Sequence, residues 1–373
     1  MNTFAPGLAG VVAAQTRLSS VDGEAGELLI AGYPVETLAP QASFEEVVYL
    51  LWHDRLPSGA ELRAFGAEMA ARREVPPLAY EALRSAAAER ITAMDTLRMA
   101  AGTLPVRDEG GLTAELTLLA QLPTLVAAGW RLAQGNEPLA PRADLGHAAN
   151  YLYMLLGELP DLERVRGLET YLNTVVDHGL NASTFTARVI VSTGSDLVSA
   201  VAGALGALKG PLHGGAPGPA LDMVFEIREI GRAEAVLRAK LDRHERLMGF
   251  GHRVYRVRDP RADVLAEAAQ RFYERAGDLA LYDLARGVEA VALRLLAEYQ
   301  PDRRLQTNVE YYTALLLHGL GLPVELFTPT FAISRAAGWI AHCIEQQEQN
   351  RIIRPQSEYI GERNRQWVPL DER

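Results

Sequence analysis

Ser43-Phe44-Glu45-Glu46-Val47-Val48-Tyr49-Leu50-Leu51 carries two helix signals at once. Ser43 and Glu46 have the spacing of a capping box, in which each side chain bonds the other's backbone N–H. Phe44, Val47, Val48 and Leu51 fall at i, i+3, i+4 and i+7, one apolar stripe of a 3.6-residue period. The same period predicts helices over residues 58–73, 78–89, 113–134, 144–156, 167–178 and 197–208, then over 220–229, 232–245, 262–276, 281–298, 309–317 and 330–350. Strand signals are confined to a hairpin, with residues 17–21 and 27–31 flanking Asp22-Gly23-Glu24-Ala25-Gly26 and Gly32-Tyr33-Pro34 ending the pattern. Strands do not alternate with helices as in a doubly wound sheet. The reading is a mainly α fold with a small N-terminal β-hairpin.

The 373 residues are 48% hydrophobic and 23% charged, a globular composition that excludes a disordered or fibrous chain. The net charge of −10 argues against non-specific nucleic-acid binding. Lys209 and Lys240 are the only lysines, so an anion is expected to meet planar guanidinium groups. Cys343 is the single cysteine, which excludes an intramolecular disulfide and fits a reducing compartment. The longest apolar run, residues 197–208, is shorter than the roughly 20 residues that cross a bilayer. Residues 1–10 lack a signal-peptide pattern. The expectation is a cytoplasmic protein with neither membrane nor nucleic acid as partner. Segment 197–208 is rich in Ala and Gly and reads as a buried core helix, a reading compatible with a place at a dimer interface.

Eight histidines are unevenly placed. His53, His147, His244 and His318 sit in helical stretches near polar ends and read as structural or surface residues. His342 neighbours Cys343 on a helix, where adjacent side chains diverge, so no dyad is expected. Three others stand beside glycine, which permits close approach of a ligand. His178 ends a predicted helix in Asp177-His178-Gly179-Leu180-Asn181. His213 lies in Gly210-Pro211-Leu212-His213-Gly214-Gly215-Ala216-Pro217, and His252 in Met248-Gly249-Phe250-Gly251-His252-Arg253-Val254-Tyr255. Arg253, Arg256, Arg258 and Arg261 crowd the stretch that includes and follows His252, Arg335 interrupts an apolar run, and Arg354 precedes Pro355. Buried arginine requires a partner, and this set suits a ligand with several carboxylates. Surface ion pairing is an alternative that suits Arg256 and Arg258 but not Arg335. Glu310, just inside a helix start, is available as a general base or as a complement to the helix dipole. No phosphate-binding loop and no zinc-type histidine spacing occurs.

Blocks 209–216, 248–261 and 308–312, then Phe327-Thr328-Pro329 and 335–354, stand in an order that resembles the citrate synthase family in its shorter, dimeric bacterial and archaeal-like form. The match runs from Gly7 to Pro355. The resemblance implies two helical domains that close over substrates, a large one from residues 1–214 and 322–373 and a small one from 215–321. It implies an acyltransferase of the tricarboxylic acid cycle that condenses oxaloacetate with acetyl-CoA and water to citrate and CoA. His213, His252 and Glu310 match the catalytic trio. His178, Asn181, Arg261, Arg335 and Arg354 match the oxaloacetate set, with Arg354 reaching the neighbouring site of a homodimer. Arg256, Gly249 and Gly251 match the CoA-binding part, Arg256 standing where lysine is usual. Neither a metal nor a cofactor is implied, since acetyl-CoA is a substrate.

Two departures bear on the chemistry. The usual base of the family is aspartate and here it is Glu310, one methylene longer. Pro217-Gly218 follows the His213 motif where many relatives have Asn-Glu. Both touch efficiency and acyl choice more than fold. Two other readings stand beside citrate synthase. One is a 2-methylcitrate synthase using propionyl-CoA, since one methyl in a pocket is worth only about 1–3 kcal/mol. The other is a low-activity CoA- or dicarboxylate-binding regulatory protein.

Overall fold

The computed structural model describes residues 4–105, 110–214, 217–252 and 254–373. Gly215, Ala216 and Arg253, which belong to the histidine motifs above, lie outside the described residues. After a 3-10 turn at Pro6–Leu8 the chain forms an antiparallel sheet of β1 (Ser19–Asp22), β2 (Glu27–Ile30) and β3 (Tyr33–Pro34), in that order. Ser19 pairs with Ile30, and Ile30 with Tyr33. The third strand corrects the expectation that Gly32-Tyr33-Pro34 ends the pattern. Gly32, at φ +84°, turns the chain back onto β2, and Pro34 is tolerated because it lies on an edge.

Helices follow. They are α1 (Val35–Leu38), α2 (Phe44–His53), α3 (Gly59–Ala71), α4 (Pro77–Ala88), α5 (Ala93–Ala101), α6 (Thr113–Ala133), α7 (His147–Leu156) and α8 (Leu162–Val175). Next come α9 (Ala182–Ser192), α10 (Leu197–Leu208), α11 (Pro217–Ile227), α12 (Ala233–Asp242), α13 (Pro260–Ala276), α14 (Ala280–Tyr299), α15 (Val309–Gly319) and α16 (Phe327–Glu348). Local chemistry explains many starts. Capping boxes open α2 and α3 at Ser43 and Ser58. Thr92, Asp161, Asn181, Asp196, Asp259 and Asn308 each accept a backbone N–H at the start of a helix. Proline is the first residue of α4, α11 and α13, where no N–H is required.

Helix α16 is the axis of the core. Nearly every residue from Phe327 to Cys343 is buried, and it packs on α9, α10, α6, α8 and α2. Cys343 is among them, and burial pushes its thiol up to about 12. Helix α10 is close to α9 because Gly203 faces Ile190, where a methyl group would overlap the Ile190 side chain. Helices α11 to α15 pack chiefly among themselves, while α13 also rests on α8 and α1. Among the described residues, α6 is the one helix long and apolar enough to cross a membrane, and most of it is buried in this core.

Candidate active site

Two short segments carry His252 and Glu310, and they are laced together. Gly251 N–H donates to Gln306 O at 2.7 Å, and Asn308 N–H to Gly249 O at 3.0 Å. Asn308 Nδ2 donates to Gly251 O at 2.7 Å, while its Oδ1 caps α15 through Glu310 N–H at 3.0 Å. This pairing brings the chain too close for side chains at the glycines. Gly249 sits at φ +86°, and a Cβ there would stand 2.8 Å from the Tyr311 ring. Asp259 then ties in Arg261. Its carboxylate accepts from Arg261 Nε at 3.0 Å and Nη2 at 2.8 Å, and from Val309 N–H at 3.2 Å. One buried carboxylate thus fixes an arginine and the start of the Glu310 helix together.

The tautomer of His252 follows from its neighbours. Its Nδ1 accepts the backbone N–H groups of Val254 at 3.0 Å and Tyr255 at 3.1 Å. Nδ1 therefore holds the lone pair and Nε2 the proton. Arg261 Nη2 lies 3.4 Å from that Nε2. Two donors facing one another without an acceptor mark a place for a ligand oxygen. Burial, then the Arg261 charge, lowers the His252 pKa to about 4, with Asp259 opposing, so the ring is neutral at neutral pH.

His178 lies across from His252, with ring centroids 5.7 Å apart. It is not the end of a helix as expected. Helix α8 stops at Val175 because the chain turns away there: Arg335 Nε takes the Val175 carbonyl at 2.6 Å, and the Asp177 carboxylate accepts from the Ser19 hydroxyl at 2.5 Å. Tyr255 hydroxyl meets His178 Nε2 at 3.1 Å, and its ring packs 4.8 Å from that of His252. Burial, with Arg261, Arg335 and His252, holds His178 well below the ordinary histidine range. Arg335 is 2% exposed, and among the described residues it forms no ion pair. Burial lowers its pKa to about 10 against the support of Asp177, so it remains charged.

His213 is turned toward α9. Its Nε2 is 2.8 Å from Ser183 Oγ, which donates to Asn181 Oδ1 at 2.8 Å and accepts from Trp339 Nε1 at 3.0 Å. Since the serine proton goes to Asn181, His213 Nε2 is the donor here, and among the described residues no side chain engages Nδ1. Asn181 spends its Oδ1 on Ser183 and on capping α9 through Thr184 N–H, so it acts on this site by way of Ser183. Glu310 is the electrostatic centre. Burial raises its carboxyl to about 7, reinforced by Asp259 and opposed by the charges of Arg261 and Arg335. A carboxyl poised near neutral pH is suited to act as a base.

The family described as citrate synthase, C-terminal domain, matches residues 7–356. A citrate synthase of Haloferax volcanii is 42% identical, covering 98% of each chain. A 2-methylcitrate synthase of Mycobacterium tuberculosis is 40% identical over 96% of this chain and 91% of its own. The chain belongs to the citrate synthase family. The solved ternary complex of carboxymethyl coenzyme A and oxaloacetate with citrate synthase from Thermoplasma acidophilum superposes at a TM-score of 0.90, with 29% identity and full coverage of both chains.

Within this citrate synthase fold a cavity of about 520 Å³ opens beside His252. Gly251, Arg256, Arg303 and Arg304 line it, with Glu24 from the hairpin tip. Arg256 N–H bonds Gly23 O at 2.8 Å, so the hairpin touches the loop that carries it. Arg258, by contrast, is committed to Glu289 and Asp263. Arg354 is exposed and lies beyond the end of α16. Sequence reasoning missed Tyr255, Asp259, Ser183, Arg303 and Arg304. Only Asp259, as Asp-Pro at a helix start, had a local signal.

Proposed function

We propose that the protein condenses oxaloacetate with acetyl-CoA and water, releasing citrate and CoA. The observation that carries this reading is the convergence of a neutral His252 Nε2–H with Arg261, at a site where Glu310 is held near pH 7. Glu310 removes a proton from the thioester methyl group. The resulting carbon nucleophile attacks the oxaloacetate ketone, and His252 Nε2–H gives its proton to the ketone oxygen as the bond forms. His178, Arg261 and Arg335 orient the dicarboxylate. His213 serves the thioester oxygen by turning its Nε2–H from Ser183. Water then cleaves the citryl thioester, and no step requires a metal or resident cofactor.

The cavity beside His252 supports a CoA site in which Arg256, Arg303 and Arg304 face the phosphates. The division into a large domain (1–214 and 322–373) and a small one (215–321), the homodimer completed by Arg354, and a cytoplasmic setting belong to the same reading. Oxaloacetate-dependent release of the CoA thiol from acetyl-CoA tests it, and absence of that release sinks it. The 40% identity to a 2-methylcitrate synthase favours propionyl-CoA as the second reading. The ratio of kcat/KM for the two thioesters decides between them.

A further inference from the structure

Asp177 and His342 take no part in the steps above, yet both are wholly buried. Asp177 Oδ2 accepts from Ser19 Oγ at 2.5 Å and lies 3.3 Å from His342 Nε2. Ser19 Oγ in turn accepts the Gly179 N–H at 2.8 Å. The residues before and after His178 are thus both tied to one hydroxyl of β1. On the other side of the imidazole, Arg188 Nη1 meets His342 Nδ1 at 2.9 Å. Arg188 also bonds Gln346 Oε1 at 3.1 Å and Glu345 Oε2 at 2.7 Å, so its charge is already matched.

A guanidinium has donors only. His342 Nδ1 must therefore carry the lone pair, and the single ring proton sits on Nε2, aimed at Asp177. In this arrangement His342 is neutral. A neutral donor orients the carboxylate without cancelling its charge. That charge is left for Arg335, whose only hydrogen bond among the described residues runs from Nε to Val175 O. Gly338 allows the approach, since a methyl group there would overlap Val176 O and stand 2.9 Å from Asp177 Oδ1.

We propose that Asp177, oriented by neutral His342 and Arg188, is a positioning residue for oxaloacetate. It holds the backbone on both sides of His178 and is the standing counter-charge of Arg335. This rests on the condensation reading, and the test separates the two. Wild-type protein is first assayed for oxaloacetate-dependent CoA release, whose absence would remove that reading alone. Asp177→Asn keeps the shape and removes the charge. His342→Leu removes the donor, whereas His342→Gln offers an N–H to Asp177 and an oxygen to Arg188, the pattern of the neutral ring.

Asp177→Asn and His342→Leu should each raise the oxaloacetate KM by about tenfold, the scale of a lost hydrogen bond to a charged group, with the acetyl-CoA KM within about twofold. His342→Gln should stay within about threefold of wild type for both substrates, because it restores the donor and acceptor. Thermal unfolding of each variant separates loss of fold from loss of positioning, and if Asp177→Asn does not fold the Gln and Leu pair decides. Nitrogen NMR of the full-length protein labelled at histidine adds an arm independent of activity. Besides those of His213 and His252, it should show an imidazole protonated at Nε2 and not at Nδ1, with that signal lost in His342→Gln. An unchanged oxaloacetate KM in folded Asp177→Asn, a Gln variant as impaired as Leu, or a proton on Nδ1 would each overturn the proposal.

Discussion

Glu310 is asked to be an anion in a place that disfavours anions. Burial holds its carboxyl near pH 7, so the fraction ready to take a proton rises through neutrality, and kcat/KM should climb with pH to a plateau above about 7. Glu310→Gln keeps the shape and removes the base. Turnover should fall by about 10²- to 10⁴-fold, with oxaloacetate binding by calorimetry preserved, and exchange of the acetyl-CoA methyl protons with deuterated solvent should fall in parallel. Near-wild-type turnover would assign the proton to another group. The same substitution has a stability signature. Between about pH 4.5 and 7 the folded protein keeps a proton that the unfolded chain has lost, so this residue weakens the fold progressively as pH rises through that window. Glu310→Gln should therefore unfold at a higher temperature than wild type at pH 8, and the difference should vanish near pH 4.

The elements show which parts of this arrangement could be read in advance. Helix α10 and the α2 capping box follow directly from apolar period and cap residues. Helix α9 has no such signal, because Thr184, Thr186, Val189, Ile190 and Val191 are β-branched and Ser183 competes for backbone bonds. Its helicity comes from the Asn181 cap and from packing between α10 and α16. Helix α5 likewise lies outside the helices that the apolar period predicts. The glycine-flanked histidines and Arg335 were legible because each broke a local rule. Their orienting partners were not, since Ser19 and Asp177 are 158 positions apart and His178 and Tyr255 are 77 apart, separations that no periodicity reports. At this scale, Gly338→Ala should force α16 away from Val176 and Asp177. An overpacking loss of about 1–3 kcal/mol is expected in urea unfolding, together with a higher oxaloacetate KM. Unchanged stability would mean the segment moves freely.

For the whole molecule, the proposed place of Arg354 in a partner's site has a direct test. If it completes a partner's site, Arg354→Ala and Glu310→Gln should each be inactive alone yet recover activity when coexpressed. A mixed dimer then has one site with both side chains intact, and random pairing gives about a quarter of wild-type activity. Activity in Arg354→Ala alone would place Arg354 outside catalysis, and no recovery on coexpression would place it within its own chain's site. The ties of the N-terminal segment reach as far along the chain. Arg17 bonds Glu345 and Glu348 on α16, and Ser19 bonds Asp177. These partners are separated by as many as 331 positions. On a ribosome moving at about 5–20 residues per second, Arg17 waits on the order of 20–60 s before Glu348 is even synthesised. Among the first regular structure to be translated, the hairpin is among the last to be locked. A nascent chain stalled before α16 would carry a His178 loop still short of its His342 support and of the α16 arginine beside it.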